Sequence, residues 1–343
     1  MTFLYSLVIP LYNEADVLPT LYRRLTRVME DLGKPYEIIF VNDGSTDASP
    51  KLLWELRAQD SRVKLVSMSR NFGHQIAITA GLDYSSGEAV VVMDGDLQDP
   101  PEVIPQLIAQ WRAGYDIVFA VRDSRRGEGV FKRSTASLFY RLLRHLTATE
   151  IPLDAGDFRL MSRRAVEAIK PIRERNRFVR GLVGWIGFRR TSVTFVRDIR
   201  HAGETKYPLR KMARFALDGI ISFSFAPLQL ATYLGFAVSL LSFIYIVYAL
   251  GLKLFTDRVV QGWTSVIVAV LFMGGVQLIS LGVIGEYIGR IYEEVKQRPL
   301  YLVDKLAGFE KTSCIEQGHT SAVIPVSANT QTVMPVSANS QTA

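Results

Sequence analysis

The sequence predicts an α/β domain built on a parallel sheet, followed by an interfacial helix and two helices that cross a membrane. Three observations point there. Short β-branched runs alternate with helical patterns over residues 1–121, basic charge is concentrated in the next segment, and two long stretches carry no charge at all. Strands separated by helices of this length imply parallel pairing through right-handed crossovers.

The elements follow in order. Strands are predicted at Ser6–Leu11, Glu37–Asn42, Val63–Ser67, Ala89–Met93 and Asp116–Ala120. Helical spacing occupies Ala15–Asp31, Asp47–Gln59, His74–Tyr84 and Glu102–Ala113 between them. A basic amphipathic run covers Phe131–Leu146, and a further strand is expected at Thr191–Asp198. Leu209–Phe223 reads as an amphipathic helix, with Arg210, Arg214 and Asp218 on one side, that would lie in the headgroup plane.

Two stretches have membrane length. The 34 residues between Asp218 and Lys253 and the 27 between Arg258 and Glu286 are all uncharged. A helix needs about 20 such residues to cross the hydrocarbon core. Arg210, Lys211 and Arg214 precede the first and Arg290, Lys296 and Arg298 follow the second, which leaves the large flanks on the cytoplasmic side. The expected location is therefore the cell membrane, multi-pass, with the main domain in the cytoplasm. The opening run Met1–Pro10 lacks the charged region of a signal peptide.

Charge narrows the partners. Residues 1–121 hold 10 Lys/Arg against 16 Asp/Glu, residues 122–218 hold 23 against 10, and residues 219–343 hold 7 against 7. The net +7 is thus a local basic segment next to the apolar stretches, which suits anionic headgroups and phosphates. No nucleic-acid motif accompanies it, so nucleic acid is not an expected partner. The single cysteine, Cys314, excludes an intrachain disulfide. Beyond Lys311 the chain nearly repeats ten polar residues, Val323–Thr332 and Val333–Thr342, and reads as a disordered tail.

The chemistry sits at strand ends, where open α/β sheets bind ligands. Val90-Val-Val-Met-Asp94-Gly-Asp96-Leu-Gln98 places two carboxylates one residue apart as the chain leaves a strand, with Gly95 allowing the turn. Oxygen ligands of this kind suit Mg²⁺ or Mn²⁺. A calcium loop is excluded, because Asp99 stands where its glycine and Pro105 where its bidentate glutamate would be. Asp43 ends the second strand and could accept from a base or ribose, while Asp47 could cap the next helix. Pro10, Tyr12, Asn13 and Glu14 close the first strand with a ring, an amide and a carboxylate. Neither a Gly-x-x-x-x-Gly-Lys-Ser/Thr loop nor a Gly-x-Gly-x-x-Gly turn is present, which argues against ATP hydrolysis and dinucleotide redox chemistry.

These segments, together with Ser69-Arg-Asn-Phe-Gly-His-Gln75, Asp154-Ala-Gly-Asp157-Phe-Arg159-Leu and Arg200-His-Ala-Gly-Glu-Thr-Lys206-Tyr207, resemble the inverting GT-A-type glycosyltransferases that use a polyprenyl phosphate as acceptor. The resemblance covers about residues 4–300. It implies a GT-A domain at 1–208, an amphipathic interfacial helix at 209–226, a transmembrane hairpin at 227–290, a cytoplasmic juxtamembrane segment at 291–311 and the tail at 312–343.

The resemblance also implies roles. Pro10, Tyr12, Glu14, Asp43, Asp94 and Lys206 would bind the nucleotide sugar; Asp94, Asp96 and Gln98 would hold Mg²⁺ or Mn²⁺; Asp96 and Asp157 would be catalytic. Arg122, Lys132, Arg133, Ser137 and Arg200 would bind the lipid phosphate. Asp157 is expected to be essential, either as a base or as an orienting group. The expected reaction moves glucose from UDP-glucose to undecaprenyl phosphate. The alternatives are mannose transfer from GDP-mannose and a non-catalytic membrane-anchored nucleotide-binding scaffold. A homo-oligomer is expected, with a tetramer as the candidate, since Gly274-Gly275 and Gly282, Gly285 and Gly289 would let helices pack closely.

Overall fold

The computed structural model describes residues 3–122, 155–175, 177–195, 226–255 and 262–309. Strands β1 (Tyr5–Leu11), β2 (Tyr36–Asn42), β3 (Val63–Met68) and β4 (Ala89–Val92) alternate with helices α1 (Leu18–Asp31), α2 (Ser49–Gln59) and α3 (His74–Tyr84). A 3-10 turn at Pro101–Val103 leads into α4 (Ile104–Arg112) and β5 (Ile117–Arg122). Then come β6 (Ala155–Ser162), α5 (Arg163–Ile169), α6 (Val179–Trp185) and β7 (Arg190–Phe195). Two long helices, α7 (Ala226–Phe255) and α8 (Trp263–Val295), precede a last strand, β8 (Val303–Ala307).

All eight strands form one sheet in the order β7-β5-β6-β4-β1-β2-β3-β8. The central strands β1, β2 and β4 are buried on both faces, which is why they read as nearly continuous apolar runs. On one face Leu7, Ile9, Ile38, Phe40 and Val91 pack against Leu21 and Leu25 of α1 and Leu107 of α4. On the other, Val8, Ile39, Val41 and Val92 meet Ala77 and Ile78 of α3, Val166 of α5 and Val183 of α6. The spacing of Leu18, Leu21, Leu25, Val28 and Met29 makes α1 a helix with one buried stripe.

The parallel sheet expected from the sequence is present in β4-β1-β2-β3 and again in β5 with β7. The whole is mixed, however, because β6 runs antiparallel to β4 and β5, and β8 antiparallel to β3. Apolar runs do not encode direction. β5 ends, and β6 begins, at the edge where β1, β2 and β4 also end, so β6 has to run back.

β8 brings the chain home from the long helices. Ser69 donates its backbone N–H to Leu302 O at 3.0 Å, and Tyr301 Oη donates to Asp83 Oδ2 at 2.7 Å. At the end of α8, Glu294 accepts from the Arg175 backbone N–H at 2.6 Å, and the Arg175 side chain bonds Arg298 O.

Within α8, Val266–Val295 is long and apolar enough to cross a membrane. In α7 the described apolar stretch is shorter, Ala231–Tyr245. Both helices leave large apolar side chains uncovered, among them Phe236, Leu241, Leu278 and Ile279, far beyond the patches soluble monomers expose. The runs Phe131–Leu146 and Leu209–Phe223 lie outside the described residues.

Candidate active site

The carboxyl ends of β1, β2 and β4 and the start of β6 converge on one rim. Asp43 follows β2 directly and is buried. Its carboxylate accepts from the backbone N–H groups of Phe72 at 2.7 Å and Gly73 at 3.0 Å. Burial raises the Asp43 carboxyl above its ordinary value, and these two N–H groups work against that. Gly44 explains how the 70–73 loop comes so close: it has φ +68, and a Cβ there would lie 2.5 Å from the carbonyl carbon of Arg70.

The end of β1 forms the neighbouring wall. Pro10 is buried in the strand, Tyr12 stands 48% exposed, and Glu14 is half-buried. An exposed ring beside a buried carboxylate is a stacking surface next to a hydrogen-bond acceptor. Asn13 adopts φ 56 and accepts from Thr46 N–H at 2.8 Å, tying this loop to the one after β2. Asp47 accepts from Ser49 N–H and Ala15 N–H, so it joins the same two loops as a structural residue.

The third wall is the turn after β4. Asp96 Oδ1 accepts from Gln98 N–H at 3.0 Å, and Gln98 is buried. Leu97 is held at φ 59, a left-handed conformation that costs a branched residue about 1–2 kcal/mol. Its burial in the core below keeps the turn in that shape. Asp94 Oδ1 is buried, and among the described residues it meets the His74 imidazole. A desolvated carboxylate oxygen of this kind requires a cation.

One candidate cation is already close. His74 Nε2, at the start of α3, lies 3.2 Å from Asp94 Oδ1 and 3.2 Å from Asp157 Oδ2. Burial would lower the imidazole, but the hydrogen bonds to Asp157 and Asp94 outweigh it and hold His74 up at about 10. Its side chain is 44% exposed, so water screens the pairing.

Asp157 is the most heavily bonded group of the rim. The ladder pairs Val92 with Arg159, and continuing that antiparallel register by two residues sets Asp157 across from Asp94. Asp157 accepts from Arg159 Nη2 at 2.7 Å, from Arg180 Nε at 3.1 Å and Nη2 at 2.9 Å, and from Gln75 Nε2 at 3.0 Å. Burial would raise its carboxyl; His74 and the two guanidinium groups reverse this and hold it far below the usual carboxylate range.

His74, Asp94 and Asp157 offer ligand atoms within 4.8 Å of one another. Asp157 is already neutralised by two arginines, so Asp94 and the adjacent Asp96 are the carboxylates that could hold a divalent ion. Their hard oxygen donors fit such a cation. Asp43, Asp94, Asp96, Gln98 and Asp157 are therefore brought to one rim, with Pro10, Tyr12 and Glu14 beside it. The backbone of Arg122, the last residue of β5, pairs with Phe195 of β7 at that same edge. Lys132, Arg133, Ser137, Arg200 and Lys206 lie outside the described residues.

Sequence reasoning assigned no role to His74, Gln75 or Arg180. The first two stand in a quoted motif; Arg180 reaches Asp157 from α6 through a contact that no local pattern announces.

Known proteins supply the context for this rim. The family Glycosyl transferase family 2 matches residues 6–170, and the GtrB C-terminal hairpin matches residues 226–291. The chain is 53% identical over 317 residues to an uncharacterised glycosyltransferase of Bacillus subtilis, covering 92% of this chain and 98% of that one. It is 47% identical over 302 residues to an SfII prophage-derived bactoprenol glucosyl transferase of Shigella flexneri, covering 88% and 97%. A prophage bactoprenol glucosyl transferase homologue of Escherichia coli K12 is 43% identical over 301 residues, covering 88% and 98%. Likeness of this extent spans both the acidic rim and the apolar hairpin behind it, and the chain belongs to glycosyl transferase family 2.

Proposed function

We propose that the protein moves glucose from UDP-glucose to the phosphate of undecaprenyl phosphate at the cytoplasmic face of the membrane, with inversion at the anomeric carbon. The observation that carries this reading is the likeness to bactoprenol glucosyl transferases along nearly their whole length, hairpin included.

The rim supports it chemically. Tyr12 would stack on the base, and Asp43 would set the nucleoside against the 70–73 loop. Asp94, Asp96 and Gln98 would hold Mg²⁺ or Mn²⁺, which neutralises the charge that builds on the departing diphosphate. Arg122, Lys132, Arg133, Ser137 and Arg200 would take the acceptor phosphate, and Lys206 the donor phosphates. A phosphate monoester with a second pKa near about 6 is already largely dianionic at neutral pH, so the nucleophile needs little help from a base.

Topology supports a pair of membrane crossings. β8 pairs with β3 in the same sheet as β1, so the chain between β7 and β8 has to cross a bilayer an even number of times. If α8 spans, a second crossing is required, and α7 with its uncovered apolar side chains is the segment available for it. The helix expected at 209–226 would then lie at the cytoplasmic surface, and the small residues of α8 would serve packing in a homo-oligomer.

The test is a donor panel. Membranes containing the chain are incubated with radiolabelled UDP-glucose or GDP-mannose and undecaprenyl phosphate, with and without Mg²⁺. Label should enter the organic phase from UDP-glucose alone and only with the cation. Transfer from GDP-mannose instead would reassign the donor, and no transfer from either would leave the nucleotide-binding scaffold as the reading.

A further inference from the structure

Asp157 is bonded in a way that sits badly with proton transfer. Its Oδ1 accepts from Arg159 Nη2 and Arg180 Nε, and its Oδ2 from Arg180 Nη2, Gln75 Nε2 and His74 Nε2. A carboxylate offers about four acceptor positions. This one is surrounded on every side and 2% exposed, which leaves no direction from which it could take a proton from a substrate.

The same bonding does something else well. It holds two guanidinium groups, which repel each other, against one carboxylate. One of them, Arg159, is fully buried, and its Nε and Nη1 have no hydrogen-bond partner among the described residues. Buried donors are seldom left so, and the charge of Arg159, only partly answered by Asp157, adds from the core to the attraction of the cluster for an anion. The other, Arg180, is one-third exposed and carries the cluster outward from the core. The register across β4 and β6 sets the group next to Asp94, on the rim proposed above to hold the donor diphosphate.

We propose that Asp157 is a clamp rather than a base, and that it presents Arg159 and Arg180 as a paired guanidinium subsite for a phosphate oxyanion of the reaction. Arg180 is the ligand that meets the phosphate, Arg159 backs it from the core, and Asp157 is a positioning residue that keeps both forks aligned. Planar forks fixed in this manner recognise phosphate through two parallel hydrogen bonds. The oxyanion belongs either to the donor diphosphate or to the lipid monophosphate. The assignment rests on the glycosyl transfer proposed above for its choice of ligands, but its test is read by binding.

The full-length protein in detergent is titrated with UDP plus Mg²⁺ and, separately, with undecaprenyl phosphate in micelles. Arg180→Ala should weaken one ligand at least tenfold and leave the other within twofold; the ligand affected identifies the phosphate. Asp157→Asn should weaken the same ligand, and the double variant should lose little more than either single one, because the residues act as a unit. Unchanged affinity for both ligands in Arg180→Ala overturns the proposal, as does equal loss of both. So does a thousandfold fall in kcat for Asp157→Asn with both affinities at wild-type values, the signature of a base. If Arg180→Ala fails to fold, Arg180→Lys is read in its place with the same selective loss expected, and wild-type affinity for both ligands overturns the assignment. Absence of glucose transfer by the unaltered protein would sink the proposed function without touching these binding comparisons.

Discussion

The two sides of the rim are held by different kinds of bond. On the parallel side, Asp43 rests on the N–H groups of Phe72 and Gly73, and Asp96 on that of Gln98, so neighbouring turns of backbone fix the carboxylates. On the side of β6, Asp157 is fixed by charged and amide side chains from three elements, α3, β6 and α6. Backbone cradles are short-range and tolerate exchange of the side chains around them. A buried ionic cluster is a cooperative unit, and losing one member strands the others.

That contrast sets the order of expected effects. Arg159→Ala should be the most damaging, since it leaves Asp157 without its closest buried partner; removing one member of a buried pair costs about 3–5 kcal/mol. Denaturant unfolding measures it, and a loss no larger than that of a surface variant would erase the distinction between the two sides. Asp96→Asn should act on rate instead. Cation stabilisation of a departing diphosphate is worth several kcal/mol, so turnover should fall at least about a hundredfold with unfolding unchanged. Undiminished activity would remove Asp96 from the site.

Asp43→Asn should be intermediate. It replaces one acceptor oxygen by a donor and strands the N–H of Phe72 or Gly73, at about 1–3 kcal/mol, and it should raise the KM for the donor more than that for the lipid. An effect on the lipid alone would contradict the place given to the loop. Smallest of all is Arg24→Ala. Its forked pair with Glu102, at 2.9 and 2.6 Å, lies at the surface, where such pairs are worth at most about 1 kcal/mol. A larger loss in thermal unfolding would mean that this surface pair helps to hold the parallel side together.

The same contrast explains what could be read from the chain alone. β1 to β5 fall within a few residues of their expected places because each is a compact apolar run bounded by turn residues, and the acidic turns after β2 and β4 are contiguous in sequence. β6 escaped because Asp157 and Arg159 put charges on the face that should have read as apolar. α5 and α6 have seven residues each, too short for a helical period to stand out. β8 pairs with β3 across the whole hairpin, and Arg180 meets Asp157 only once α6 has folded over β6. Neither contact leaves a local trace.

Sidedness and chemistry can be read together in sealed vesicles supplied with undecaprenyl phosphate and impermeant radiolabelled UDP-glucose. Inverted vesicles, whose cytoplasmic face is outward, should convert the label to organic-soluble lipid, and chelation of divalent cations should stop it; right-side-out vesicles should remain inactive until opened. Transfer confined to right-side-out vesicles, or transfer in inverted ones that chelation leaves untouched, would contradict the account.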